Sequence, residues 1–128
     1  MNRELFEKKM NSDISNLTGK EKAAVITKSI TYSNKKDPSS CYGRRNLDII
    51  REELSELDIE ISKAVRGKIN RVGLLEEMAD TAISLEYLKQ IFHFNQEELD
   101  KAVSIKLMRE NDRVDHDYKE NVGNEIER

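Results

Sequence analysis

The sequence of residues 47–66, LDIIREELSELDIEISKAVR, decides most of the fold. Its apolar side chains recur every three or four residues, which places them on one face of an α-helix. This stripe consists of Leu47, Ile50, Leu54, Leu57, Ile61 and Ala64. Gly67 follows as a C-terminal cap, and the basic side chain of Arg66 complements the helix dipole. We therefore expect an amphipathic helix from about Ser40 to Arg66, with one buried stripe.

The same periodicity returns after a short basic connection and predicts a second strong helix from about Val72 to His93. Its stripe consists of Leu74, Leu75, Met78, Ala82, Leu85 and Phe92. Asn70 is placed to cap its N-terminus. Because the connection is short, the two strong helices should lie side by side and antiparallel.

Weaker helical patterns flank this pair. Two precede it, from Arg3 to about Asn16 and from Lys20 to about Ser33, and one follows it, from Asn95 to about Val114. Asn95 and Glu98 have the three-residue spacing of a capping box, which favours a helix start at this point. The sequence therefore predicts helices throughout and gives no clear strand alternation.

These patterns predict an all-α fold, an antiparallel helical bundle of about four to five helices. We divide the chain into an N-terminal helical region (1–36), a helical core (37–114) that contains both strong helices, and a polar tail that should fray (115–128). Only 37% of the 128 residues are hydrophobic, and 37% are charged. Because so lean a core is often completed across a subunit interface, we expect oligomerisation to a homodimer or homotetramer.

Charge and cysteine content exclude several classes of protein. The 22 basic and 25 acidic residues give a net charge of −3, which exerts no general attraction on nucleic acid or an anionic membrane. The single cysteine, Cys41, cannot form an intrachain disulfide and is typical of a reducing compartment. No apolar run has the length of a signal peptide or a membrane span. We therefore expect a cytoplasmic protein.

Each strong helix carries the same arrangement of carboxylates: two glutamates, two spacer residues and one further acid. The first motif is Glu52-Glu53-Leu54-Ser55-Glu56, and the second is Glu76-Glu77-Met78-Ala79-Asp80. Residues three apart share a helix face, so each motif places two carboxylates on the flank of its apolar stripe. If the stripes pack together, four carboxylates converge: Glu53, Glu56, Glu77 and Asp80.

A convergent group of carboxylates needs a compensating positive charge, because the acids otherwise repel one another and their pKa values rise. Hard divalent cations such as Mg²⁺ take oxygen ligands and bridge carboxylates to phosphates. The chemistry that this arrangement favours is metal-assisted phosphoryl transfer. A single E-x-x-E on a solvated helix is common and usually has no such role; the repetition on consecutive amphipathic helices favours a site.

The block from about Glu52 to Arg113 resembles the MazG-like, all-α nucleoside triphosphate pyrophosphohydrolases, a family related to the dimeric dUTPases. The hallmark of that family is EExxE on one helix and ExxD on the next, as in the two motifs above. Residues 74–83, LLEEMADTAI, are similar to the sequence that is usual in the family, and so are residues 106–113, KLMRENDR.

This resemblance implies a hydrolase that cleaves (d)NTPs or related nucleotides between the α- and β-phosphates, giving a monophosphate and pyrophosphate. Its cofactor would be Mg²⁺, or Mn²⁺ in its place. The implied metal ligands are Glu53, Glu56, Glu77 and Asp80. Glu53 or Glu56 would help to activate the water, and the implied nucleotide contacts are Lys106, Asn111 and Arg113.

Two questions stay open on the sequence alone. Tyr42, Arg44 and Arg45 precede the first motif helix and are candidates for contact with a base or a phosphate. An alternative function of another class is a non-enzymatic helical protein–protein interaction module that uses the apolar stripes. The two functions differ in whether the motif carboxylates matter for activity.

Overall fold

The computed structural model describes residues 1–36 and 45–126, and these form five helices without a strand. The helices are α1 (Arg3–Met10), α2 (Gly19–Lys36), α3 (Leu47–Val65), α4 (Arg71–Ile91) and α5 (Gln96–Ile126). The predicted all-α class is confirmed. None of the described helices combines the length and the apolar character that crossing a membrane requires.

The first strong helix begins later than predicted. The Asn46 side-chain oxygen accepts the Ile49 N–H at 3.0 Å and caps α3, so Arg45 lies before the helix rather than within it. Such a cap satisfies one of the backbone donors that a helix start leaves unpaired. The predicted start at Ser40 lies outside the described residues, as do Cys41, Tyr42 and Arg44.

Three predicted caps are confirmed, whereas α1 ends at Met10 and not near Asn16 as predicted. Gly67 has a φ of +79°, and its N–H donates to the Ala64 carbonyl at the end of α3. The Asn70 side chain caps α4 by accepting the Gly73 N–H at 3.0 Å. Asn95 and Glu98 form the predicted capping box, each accepting the N–H of the other through its side chain.

Helix α4 is the centre of the first compact unit, residues 1–92, because α1, α2 and α3 all contact it. The core contains one buried apolar side chain from each of three helices: Ile26 of α2, Ile50 of α3 and Tyr87 of α4. The Tyr87 hydroxyl donates to Ser29 Oγ of α2 at 2.8 Å. Half-buried Ile30, Leu47, Leu88 and Ile91 pack against this core.

The predicted apolar stripes are buried only in part. Leu54 and Ile61 of α3 are 42% and 47% exposed, and Leu85 of α4 is 49% exposed. On α4 the inward-facing positions are instead Gly73, Glu77, Ser84 and Tyr87. Ser84 precedes Leu85 by one residue, which is about 100° of rotation, so burying this face leaves the stripe in solvent.

The exposed part of the stripes forms what we call the apolar face. It consists of Leu54 and Ile61 of α3, of Leu75, Met78 and Leu85 of α4, and of the neighbouring Val65, which the predicted stripe did not include. These residues are exposed in the single chain because α1 and α2 lie against a different side of α4.

The second compact unit begins at His93 and contains α5. This helix continues to Ile126, twelve residues beyond the predicted end near Val114. Residues 115–126, which were predicted to fray, are therefore helical. Every side chain described on α5 is exposed. The two compact units divide between Phe92 and His93, and α1 and α2 pack on a motif helix. The predicted boundaries after residues 36 and 114 stay a prediction.

Gly67→Ala should lower the free energy of unfolding by about 1–2 kcal/mol, because an alanine Cβ disfavours the left-handed conformation. Gly19→Ala is the matched control: its Cβ would meet no atom within 4 Å, and the position has no positive φ. We expect that change to have an effect below about 0.5 kcal/mol. Urea unfolding measures both; equal effects would contradict the role of Gly67.

Candidate metal centre

The motif carboxylates of α3 and α4 face one another across the helix pair. Glu53, Glu56 and Glu77 each offer one oxygen, and these three atoms lie within 4.8 Å of one another. Glu53 interacts with Asp80, and Glu56 with Glu77. The earlier acid of α3 thus pairs with the later acid of α4, which is the order expected of antiparallel helices. The predicted antiparallel arrangement of the two strong helices is confirmed. The structure therefore brings the four predicted ligands together, with three of them in one close group.

This close group, Glu53, Glu56 and Glu77, extends from the interior to the surface. Glu77 is only 8% exposed, and the side chain of Glu53 is 18% exposed. Glu56 is exposed and also lines an open depression on the outer flank of α3. The group can therefore be reached from solvent through Glu56, while its other two members are held inside the fold.

Two oxygens of the close group have no hydrogen-bond partner although they are buried: Glu53 Oε2 and Glu77 Oε2. A buried acceptor without a partner costs about 1–3 kcal/mol, and more when it is charged. Both belong to the hard oxygen ligands that Mg²⁺ and Mn²⁺ take. The residues present thus suit a hard divalent cation, with Glu53, Glu56 and Glu77 as ligands and Asp80 beside them.

Burial raises the pKa values of Glu53, Glu77 and Asp80. Burial raises the pKa of Glu77 from 4.5 to about 7, and the neighbouring carboxylates, Glu56 first, add to the rise. Burial is also the main cause of the raised pKa of Glu53, followed by the charge of Asp80. The pKa of Asp80 is raised by burial as well, although Arg45 partly opposes that shift.

Arg45 contacts the cluster at the start of α3. Its Nη1 donates to the buried Ser84 Oγ at 2.9 Å and to the Asp80 carbonyl at 3.2 Å, and lies 3.7 Å from Glu53. Its guanidinium also lies over the Tyr87 ring, 5.8 Å from the centroid. The candidate role of Arg45 in binding a base or phosphate is untested, but these contacts already hold its side chain in the protein.

A second arginine reaches the acids from α1. Arg3 Nε donates to Glu76 Oε2 at 3.2 Å, and its Nη2 donates to Glu77 Oε1 at 3.5 Å. Its Nη1 lies 3.8 Å from Glu60 Oε1. Sequence reasoning missed Arg3, because 73 residues separate it from Glu76 and no motif links them. The one available signal was Gly73, a glycine inside a helix, whose missing side chain leaves room for Arg3 Nη1.

The three predicted nucleotide-binding residues lie on α5 in the second unit, and all are exposed. Lys106 and Arg113 are seven residues apart and share a helix face, whereas Asn111 lies about 140° away from Lys106. Arg113 is paired with Glu110, one turn before it. Two of the three residues predicted to contact the nucleotide therefore lie on one face of α5, and the third does not.

The raised pKa of Glu77 predicts how stability depends on pH. Because that pKa is higher in the folded chain than in the unfolded one, the folded state binds more protons between about pH 4.5 and 7. The free energy of unfolding without metal should therefore fall as pH rises through this window.

A divalent cation binds the deprotonated acids, so it should raise the melting temperature more at about pH 8 than at about pH 5.5. At roughly 100 times Kd, the rise should be roughly 5–10 °C. Scanning fluorimetry with and without Mn²⁺ measures this rise. Glu77→Gln should weaken the pH dependence, of which Glu53 and Asp80 keep a part, and should remove the response to metal. An unchanged response to metal would contradict the site.

Comparison with protein-family models, with curated proteins and with solved structures found no match for this chain. The resemblance to the MazG-like family accordingly stays a prediction from the two motifs. Any functional assignment rests on the residues described above.

Proposed function

We propose that this chain is a Mg²⁺-dependent nucleoside triphosphate pyrophosphohydrolase that cleaves (d)NTPs or related nucleotides to a monophosphate and pyrophosphate. The observation that carries the proposal is the close group of Glu53, Glu56 and Glu77, with two buried oxygens that lack partners. The resemblance of both motifs to the MazG-like family supports the choice of reaction. Mn²⁺ would serve in place of Mg²⁺.

A bound Mg²⁺ would neutralise charge on the phosphates and lower the pKa of a coordinated water. We assign the roles of the protein residues from the exposure of their side chains to solvent. Glu53 and Glu77 are enclosed and act as fixed ligands, with Asp80 supporting Glu53. Glu56 would give one oxygen to the metal and, because it faces solvent, would accept the proton of the attacking water. The water oxygen bonds to phosphorus as the bond from that phosphorus to the oxygen bridging the α- and β-phosphates breaks. We assign the general base to Glu56 for this reason.

Substrate contacts and location are parts of the same proposal. Lys106 and Arg113, on one face of α5, supply positive charge for phosphates, and Asn111 supplies an amide for the nucleotide. Because the predicted compartment is reducing, we place the reaction in the cytoplasm. The base and the sugar are chosen by contacts that the motifs do not specify.

The apolar face supports self-association to a homodimer or homotetramer. Its six large side chains lie on two adjacent helices and are exposed in the single chain. A large exposed apolar patch marks an interaction site, and we propose that these side chains form one. The same face would serve the alternative function, a non-enzymatic interaction module, in which the carboxylates would have no catalytic part.

Turnover is tested by chromatography of the products from a panel of NTPs and dNTPs. We expect monophosphate plus pyrophosphate only when Mg²⁺ or Mn²⁺ is present. Glu53→Gln and Asp80→Asn should lower kcat at least ~100-fold, because each removes a charge that holds the metal. Asp58→Asn, an equal change at an exposed position of α3, should leave kcat within about twofold.

Circular dichroism of each variant checks that the helices remain. Loss of turnover with retained helicity is the expected result. Full activity in both Glu53→Gln and Asp80→Asn would contradict the enzyme and favour the interaction module.

Self-association is tested with two isoleucines of α3. Ile61 belongs to the apolar face, whereas Ile59 lies about 200° away around the helix, and both are about half exposed. Ile61→Glu should convert the oligomer to a monomer in light scattering after gel filtration, and Ile59→Glu should not. A wild-type monomer at all concentrations would contradict the proposed oligomer.

A further inference from the structure

We propose that the Arg3 guanidinium is an internal cation that fills the outer part of the carboxylate cluster and limits divalent-cation binding to one ion. By the outer part we mean the acidic groups that Arg3 contacts, beyond Glu53 and Glu56: they are Glu60, Glu76 and the Oε1 atom of Glu77. This inference rests on the proposed metal site at Glu53, Glu56 and Glu77 and adds a residue from α1 to it.

The contacts of Arg3 are divided among three carboxylates. Its three guanidinium nitrogens each face a different acid, at 3.2 Å for Glu76, 3.5 Å for Glu77 and 3.8 Å for Glu60. One planar group thus offsets charge on two helices. A single guanidinium is suited to this because its donors are fixed in a fork.

The two oxygens of Glu77 have different surroundings. Oε1 accepts from Arg3 Nη2, whereas Oε2 is buried and has no partner. A carboxylate with one oxygen held by a charged donor cannot turn freely, so the other oxygen keeps its direction. Arg3 is therefore a positioning residue: it acts on the metal site through Glu77.

The fold leaves a defined space for this guanidinium. A Cβ at Gly73 would lie 2.8 Å from Arg3 Nη1 and 3.0 Å from both Arg3 Cζ and Asn70 Nδ2. Such distances require a shift, and the long Arg3 side chain is the part that can move. Glycine at this helical position therefore permits the observed place of Arg3, even though glycine disfavours the helix by about 1 kcal/mol relative to alanine.

Removal of Arg3 would leave the outer carboxylates short of positive charge. Glu60 is 7% exposed, and its other cationic partner is Lys63, 3.4 Å away. Glu76 and Glu77 would lose the cation that they share with Glu60. Because uncompensated buried carboxylates are costly, this outer part would take a cation from solution. A second divalent ion would then bind.

The test counts Mn²⁺ ions bound per full-length chain at saturation, by equilibrium dialysis with electron paramagnetic resonance. Wild type should bind one ion. Arg3→Gln should bind two, because it removes the internal cation. Gly73→Ala should also bind two: it displaces the guanidinium while favouring the helix, which keeps the test valid if Arg3→Gln does not fold.

Arg51→Gln is the matched control, because Arg51 pairs with Asp48 at the exposed surface of α3. It should bind one ion, as wild type does. One ion in wild type, Arg3→Gln and Gly73→Ala alike would overturn the role of Arg3 and leave the metal site intact. Two ions in wild type would also overturn it. No ion in any protein would overturn the proposed metal site itself.

Discussion

Repulsion among carboxylates enclosed between α3 and α4 is the constraint on which the rest of this structure depends. Apolar side chains would pack at these positions without such a cost, and the chain places Glu53, Glu60 and Glu77 there instead. Two arginines from outside the helix pair, Arg3 and Arg45, offset part of that charge. The remaining negative charge lies at the close group, where a cation would complete the compensation.

This constraint also accounts for the sparse core. The buried positions of α4 are a glycine, an acid and a serine as well as Tyr87, so few of them carry apolar side chains. The large apolar residues lie instead on the apolar face. On the proposed function, a bound cation and a second copy of the chain would add to the stability that its own packing gives, since anything that binds the folded state alone stabilises it.

Sequence reasoning predicted the helices, their caps and the meeting of the four motif carboxylates, because these follow from local spacing. Asn70, Gly67 and the Asn95–Glu98 box each act within one turn, and their residue types are diagnostic. Burial was harder to predict: Ile61 and Leu85 fit an apolar stripe but are exposed. Periodicity shows which residues share a face and does not show which face is covered. The role of Arg3 could not be predicted from local spacing, because its contacts connect segments that are distant along the chain.

The most direct measurement of the central claim is anomalous scattering from crystals grown with Mn²⁺. The account predicts a manganese peak between the carboxylates of Glu53, Glu56 and Glu77, with the otherwise unpartnered Oε2 atoms of Glu53 and Glu77 among its ligands. A chain with this fold and no peak at these three side chains, or with manganese bound only elsewhere, would contradict the account.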